Sequence, residues 1–109
     1  MICAKFYKDG ERLRATVSGH AEYCEIGGDI VCSAISGMVY SIIGYMINLR
    51  NEQIEIYSME SGLVDFSISS ECEELLALIC MGFIQIEMTY HPFVSVENLI
   101  WNWTLPKTA

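Results

Sequence analysis

Alternating apolar and polar positions at the start of the chain predict a β-hairpin. Residues 2–7 and 12–17 both alternate, and the KDGE stretch that separates them is a turn signal. The same pattern returns at 53–59 and 62–69, where ESG lies between the two runs. The sequence therefore predicts two hairpins, one in each half of the chain.

Two other segments are apolar with a different spacing and predict helices. Ile30–Leu49 is a long run without a charged residue, and Asp29 just before it is a good N-cap, since a carboxylate there accepts a hydrogen bond from an early helical N–H. Ser70 and Glu73 form a capping box, and apolar positions recur at helical spacing from there to about Tyr90. A last strand and an aromatic tail follow, in FVSVENLIWNW.

The resulting order, β-β-α-β-β-α-β, is typical of an α+β domain with two layers, two helices packed on one antiparallel sheet. A length of 109 residues predicts a single domain over 1–109. The uncharged helix is long enough to cross a membrane. Its serines and glycines and its sparse flanking charges favour the central buried helix of a small domain instead, so we expect no membrane partner.

Charge and cysteine usage narrow the function classes. The net charge is −8, and no Lys or Arg occurs from residue 51 to 106, which argues against nucleic-acid binding and favours a basic protein partner. The five cysteines form no CxxC and no zinc-type spacing with histidine, so no metal site is expected. An odd number of thiols behind an N-terminus without a secretion signal fits a cytoplasmic protein.

Cys32 and His20 are the candidate catalytic pair. With Asp29 as the cap, Cys32 is the third helical residue, where free backbone N–H groups and the helix dipole favour the thiolate, the nucleophilic form of cysteine. His20 follows the second strand, and the loop between them is long enough to fold back. Spacing alone leaves two interpretations open, a Cys-His catalytic site and an apolar helix with a structural thiol, and the second is the more frequent.

The stretch GHAEYCEIGGDIVCSAIS closely resembles the signature of the ribosomal-processing cysteine proteases, the Prp family, which has a G-H-A block, a short loop and G-x-D-I-V-C-[AS]-A-x-S. The resemblance covers about residues 1–97, so it implies that 97–109 is a C-terminal extension of the domain. Two linked blocks at the right separation make the resemblance specific. The matching positions are Gly19, His20, Ala21, Gly27, Asp29, Ile30, Val31, Cys32, Ser33, Ala34 and Ser36.

This resemblance implies a cysteine endopeptidase in which Cys32 is the nucleophile and His20 the base, with Asp29, Ser36 and Gly19 supporting the site. It implies that the enzyme needs no cofactor and is a cytoplasmic homodimer. The implied substrate is the N-terminal extension of a large-subunit ribosomal protein, which is removed during ribosome assembly. The acidic charge of the chain is compatible with a basic extension of this kind. The loop that would cover the substrate consists of Ala21, Glu22, Tyr23, Cys24, Glu25, Ile26, Gly27 and Gly28.

Two alternatives belong to other classes of protein. A non-catalytic, ribosome-associated binding module would use the same loop and the acidic surface to hold a basic protein. A structural, dimer-forming domain would keep Cys32 buried, and slow thiol labelling near neutral pH would identify it.

Overall fold

The computed structural model describes residues 1–20 and 28–104, with Gly28 and Asp29 described in the backbone only. The predicted order of elements is confirmed. The elements are β1 (Ile2–Asp9), β2 (Arg12–Gly19), α1 (Gly28–Leu49), β3 (Ile54–Glu60), β4 (Leu63–Ser69), α2 (Glu73–Tyr90) and β5 (Val94–Asn98), with short 3-10 turns at Asn51–Gln53 and Ser70–Cys72.

The five strands form one mixed sheet in the order β3-β4-β2-β1-β5. The prediction of a purely antiparallel sheet is therefore wrong at one edge, because β5 pairs parallel to β1, with Val94 opposite Ile2. The physical reason is the connection through α2. This helix carries the chain from β4 past β2 and β1, and a helical crossover joins strands that run in the same direction.

The core lies between one face of this sheet and the two helices. Phe6 on β1 and Phe83 on α2 are both fully buried, and their rings meet edge to face with centroids 5.5 Å apart. The strict alternation of β1 and β2 places Ile2, Ala4, Phe6, Leu13, Ala15 and Val17 on this buried face. Apolar positions at period two thus become one wall of the core, as the sequence predicts.

Helix α1 buries one side and exposes the other. Val31, Ile35 and Val39 are buried on successive turns, whereas Tyr40 and Tyr45 are exposed. The predicted central helix of a small domain therefore contributes to the core, but it is buried on one side only. By length and composition, Ile30–Leu49 could cross a membrane, a test that core helices of globular domains also pass. Here its buried side belongs to the same core cluster as the sheet.

Both helix starts differ from the predicted caps. Helix α1 begins at Gly28, so Asp29 lies in its first turn and is not the N-cap. Ahead of α2, the cap is Ser69 rather than Ser70, because its hydroxyl accepts a hydrogen bond from the backbone N–H of Glu71 at 3.2 Å. A 3-10 turn precedes α2, which moves the cap to a position that helical spacing alone does not indicate.

The opposite face of the sheet carries a polar cluster centred on Arg14. Its guanidinium donates two hydrogen bonds to the carboxylate of Asp65, at 2.9 and 2.8 Å, and lies 4.2 Å from the ring centroid of Tyr57. Tyr57 lies at a β-bulge, where the pairing of β3 with β4 shifts between Ile56 and Ser58.

The chain after β5 turns at Asn98 and packs back on α2. The Asn98 side-chain oxygen accepts hydrogen bonds from backbone N–H groups that follow it in the chain, including that of Trp101 at 2.9 Å. The Trp101 indole N–H donates to Glu73 at the start of α2, also at 2.9 Å. Trp101 and Trp103 stack with centroids 4.8 Å apart and planes 5° from parallel, against the edge of the core.

Candidate active site

His20 follows β2 at a corner where three parts of the chain meet. Gly19, the last residue of β2, pairs with Ile2 of β1, and its N–H donates to the carbonyl of Gly62 in the β3–β4 turn at 2.9 Å. The His20 carbonyl accepts a hydrogen bond from the Met1 nitrogen at 2.8 Å. The backbone on both sides of the imidazole is therefore tied to the sheet, while the side chain is exposed.

Gly19 occupies a position that only glycine fits. Its φ is +87°, in the left-handed region, and a Cβ built on it would collide with the carbonyl oxygen of Met1. A side chain here would have to separate the end of β2 from the start of β1. The local sequence thus lets the chain leave the sheet sharply, immediately before His20.

Cys32 lies two residues further into α1 than expected. With the helix beginning at Gly28, Cys32 is its fifth residue and not the third. Its side chain is half-buried and packs against the edge of the core. Helical side chains lean toward the N-terminus, so the thiol lies over the first turn. This half-buried position does not fit a thiol sealed in the core, as the structural-domain alternative requires.

One cavity of about 200 Å³ brings the predicted residues together. His20 and Gly19 contribute to its wall from the end of β2, and Cys32 and Ser36 contribute from successive turns of α1. The remaining lining is an apolar floor, a tyrosine and the β3–β4 turn: Ile2, Val17, Ile35, Val39, Tyr40, Glu60, Ser61, Gly62, Leu63 and Val64. The cavity can accommodate a peptide side chain beside a thiol and an imidazole.

Other predicted members of the site lie outside this description. The cover-loop residues 21–27, Cys24 among them, are outside the described part of the chain, and so is the side chain of Asp29. Their predicted roles stay predictions. Within residues 1–20 and 28–104, no three His, Cys, Asp or Glu side chains come together in a metal-binding arrangement.

The other described cysteines are elsewhere in the fold. Cys3 is exposed on β1, and Cys72 is buried ahead of α2, where its thiol donates to the Gln53 side-chain oxygen at 3.0 Å. Burial raises the pKa of the Cys80 thiol to about 12, which keeps it protonated at neutral pH. None of these three thiols lines the cavity that contains Cys32.

Sequence reasoning missed the β3–β4 turn as part of the site. Glu60, Ser61 and Gly62 line the cavity, and Gly62 lies directly beside the His20 imidazole. A signal was present, because the ESG turn separates two alternating runs. What the sequence lacked was the pairing of β4 with β2, which places this turn beside the end of β2.

A thiol and an imidazole line one cleft here, at the start of a helix and the end of a strand, and these are the two groups that cysteine hydrolases use for catalysis. The chain matches the model of the family described as cysteine protease Prp over residues 1–95. It belongs to that family, and it is a cysteine protease, a hydrolase. The resemblance found in the sequence is thereby confirmed.

Solved structures with the same fold include two of the essential ribosomal processing protease Prp from S. aureus. The one in complex with a substrate peptide superposes with a TM-score of 0.73 at 22% identity, over 90% of this chain and 99% of that chain. The one with a covalently linked product peptide gives 0.70 at 24%, over 90% and 99%. SMU.848 from Streptococcus mutans gives 0.72 at 22%, over 91% and 97%. No curated protein sequence matches this chain.

Proposed function

We propose that this protein is the endopeptidase that removes the N-terminal extension of a large-subunit ribosomal protein during ribosome assembly, through Cys32 and His20. The observation that carries the proposal is that both side chains line one cavity in a chain of the cysteine protease Prp family. Two structural neighbours are ribosomal processing proteases with a substrate or product peptide bound, which supports a peptide substrate of the same origin.

The proposed reaction has two halves. His20 accepts the proton of the Cys32 thiol, and the sulfur attacks the scissile carbonyl carbon. The C–N bond then breaks, the imidazolium gives its proton to the leaving amine, and a thioester joins the substrate to Cys32. In the second half water attacks the thioester carbonyl carbon and gives a proton to His20. The S–C bond breaks, the substrate leaves as a carboxylic acid, and His20 returns the proton to the sulfur, which restores the thiol. The exposed imidazole can meet the peptide, while the half-buried thiol is held against the core.

The charge of the protein supports a basic substrate. The chain carries −8 overall, and the exposed Glu60 stands at the rim of the cavity. A carboxylate at this point attracts lysine and arginine side chains near the cleavage site and raises the encounter rate at low salt. We also propose that the protein acts in the cytoplasm and as a homodimer, as the family resemblance implies.

The test is cleavage of the extended ribosomal protein from the same cell, followed by mass spectrometry under reducing conditions. One defined cut by the wild type, abolished in Cys32→Ala and in His20→Ala, is the expected result. Cys3→Ala is the matched control, because Cys3 is exposed on β1 and does not line the cavity, so this variant should cut normally.

Two results would contradict the proposal. A cut that persists in Cys32→Ala would assign the activity to another residue or to a contaminant. Binding of the extension without cleavage by the wild type would instead favour the non-catalytic binding module.

A further inference from the structure

Gly62, the glycine of the β3–β4 turn, lies directly against the imidazole of His20. A Cβ built on Gly62 would lie 2.8 Å from His20 Nε2 and 3.5 Å from both Cδ2 and Cε1. All three of its nearest neighbours therefore belong to the same edge of one imidazole ring. A carbon–nitrogen approach of 2.8 Å is closer than van der Waals contact permits, so a side chain at this position would displace the ring.

The turn cannot simply move aside to accommodate a side chain. Its Gly62 carbonyl accepts the hydrogen bond from Gly19 N–H, immediately before His20 in the chain. On the other side, Glu60 pairs with Leu63 to close the hairpin. The glycine and the imidazole are thus attached to the same corner of the sheet, and a new Cβ would shift the ring and leave the turn in place.

We propose that Gly62 is a positioning residue for the catalytic reaction: because it has no side chain, it leaves the space in which one edge of the His20 imidazole lies, and so it sets where the ring stands in the cavity that it shares with Cys32. This inference rests on the proposed role of His20 as the base. Proton transfer needs the donor and acceptor atoms within about 2.6–3.2 Å of each other. A displacement of about 1 Å at such a site can cost on the order of 100-fold in rate.

The effect of the contact with His20 must be separated from the effect of the Gly62 backbone conformation. The φ of Gly62 is +84°, so any substitution also strains the backbone. The first hairpin supplies a matched control, since Gly10 in the β1–β2 turn has φ +64°, and a Cβ added to it would meet no atom within 4 Å. Replacing Gly10 therefore imposes the strain of a positive φ without touching a neighbour. Asparagine tolerates this conformation better than alanine and adds the same Cβ.

The experiment compares Gly62→Ala and Gly62→Asn with Gly10→Ala and Gly10→Asn in the full chain. Urea unfolding gives the stability of each variant, cleavage of the extended ribosomal protein gives kcat and KM, and NMR of the imidazole gives the environment of His20. We expect similar losses of stability at the two positions. Only the Gly62 variants should lose kcat, by about 10- to 100-fold with little change in KM, and shift the His20 resonances.

Two results would overturn the proposal. One is a kcat in the folded Gly62→Asn variant equal to that of Gly10→Asn, and the other is an unchanged His20 resonance in both Gly62 variants. Failure of the proposed function gives a different result. A wild type that does not cut, or a His20→Ala variant that still cuts, would show that His20 is not the base of this reaction. The NMR comparison would still decide whether Gly62 positions the imidazole ring.

Discussion

The buried thiol of Cys80 makes the stability of this protein sensitive to alkaline pH. Cys80 lies in α2 with 0% of its surface exposed, and burial raises its pKa from an ordinary 9.0 to about 12. Between these two values the unfolded chain releases the thiol proton and the folded chain keeps it. Ionisation of this thiol then stabilises the unfolded state alone. The contribution of Cys80 to the free energy of unfolding is therefore intact below pH 9 and is lost as the pH rises toward 12.

The size of the effect follows from the two pKa values. At about pH 10 the unfolded thiol is about nine-tenths ionised while the folded thiol is still protonated, which lowers the free energy of unfolding by about 1.4 kcal/mol. Replacing Cys80 with alanine removes this loss. The variant also leaves a small cavity, at a cost of about 1–2 kcal/mol, but that cost is the same at every pH.

The assay is urea unfolding of wild type and Cys80→Ala near pH 7 and pH 10, with a phosphine reductant. Other groups titrate in both proteins, so only the difference between their free energies of unfolding is compared at the two pH values. The stability gap should narrow by about 1.4 kcal/mol at the higher pH. Cys3→Ala removes an exposed thiol, so its difference in free energy of unfolding from the wild type should be the same at both pH values. A gap for Cys80→Ala that stays constant across this range would refute the reasoning.

Three further predictions concern the sheet, the core and the tail. The hydrogen bonds from Arg14 hold the pKa of Asp65 below its usual 3.8, so this carboxylate stabilises the fold at neutral pH and the effect is lost as the pH falls through the lowered value. Asp65→Asn should therefore be less stable than the wild type near neutrality, and acid unfolding curves should show the difference vanishing at low pH; a difference that grows instead would contradict this. Phe83→Ala empties the centre of the core and should lower the free energy of unfolding by about 3–5 kcal/mol in urea titrations, with less than about 1 kcal/mol pointing to a repacked core. Trp101→Phe removes the indole hydrogen bond to Glu73 and should cost about 0.5–1 kcal/mol by thermal unfolding, with no further loss when Glu73→Gln is added; additive losses would mean that the two side chains do not interact.

Local pattern was sufficient for the elements and their order. The two hairpins and both helices follow from alternation, turn residues and helical spacing, all of which act over a few neighbouring residues. The boundary at Gly28 and the cap at Ser69 differ from expectation by one or two residues. Helix ends depend on which backbone groups find partners in the folded chain, and spacing does not encode that choice.

Long-range pairing was not accessible from local pattern. Nothing in the alternation of β5 indicates that it lies beside β1 or that it runs parallel to it. The same applies to the site. Motif resemblance selected His20 and Cys32, and the cavity brings them together, but the approach of Gly62 to the imidazole depends on how β4 pairs with β2.

The stacked indoles of the C-terminal segment also determine what optical spectroscopy can observe in this protein. Trp101 and Trp103 are the two tryptophans of the whole chain, so indole fluorescence excited at the red edge of the absorption band reports on this segment and on its docking against α2. Far-ultraviolet circular dichroism reports on the sheet and helices. If the two signals change together on heating, the segment unfolds with the domain as one cooperative unit. If fluorescence changes first, the interval between the two transitions measures how weakly the segment is attached.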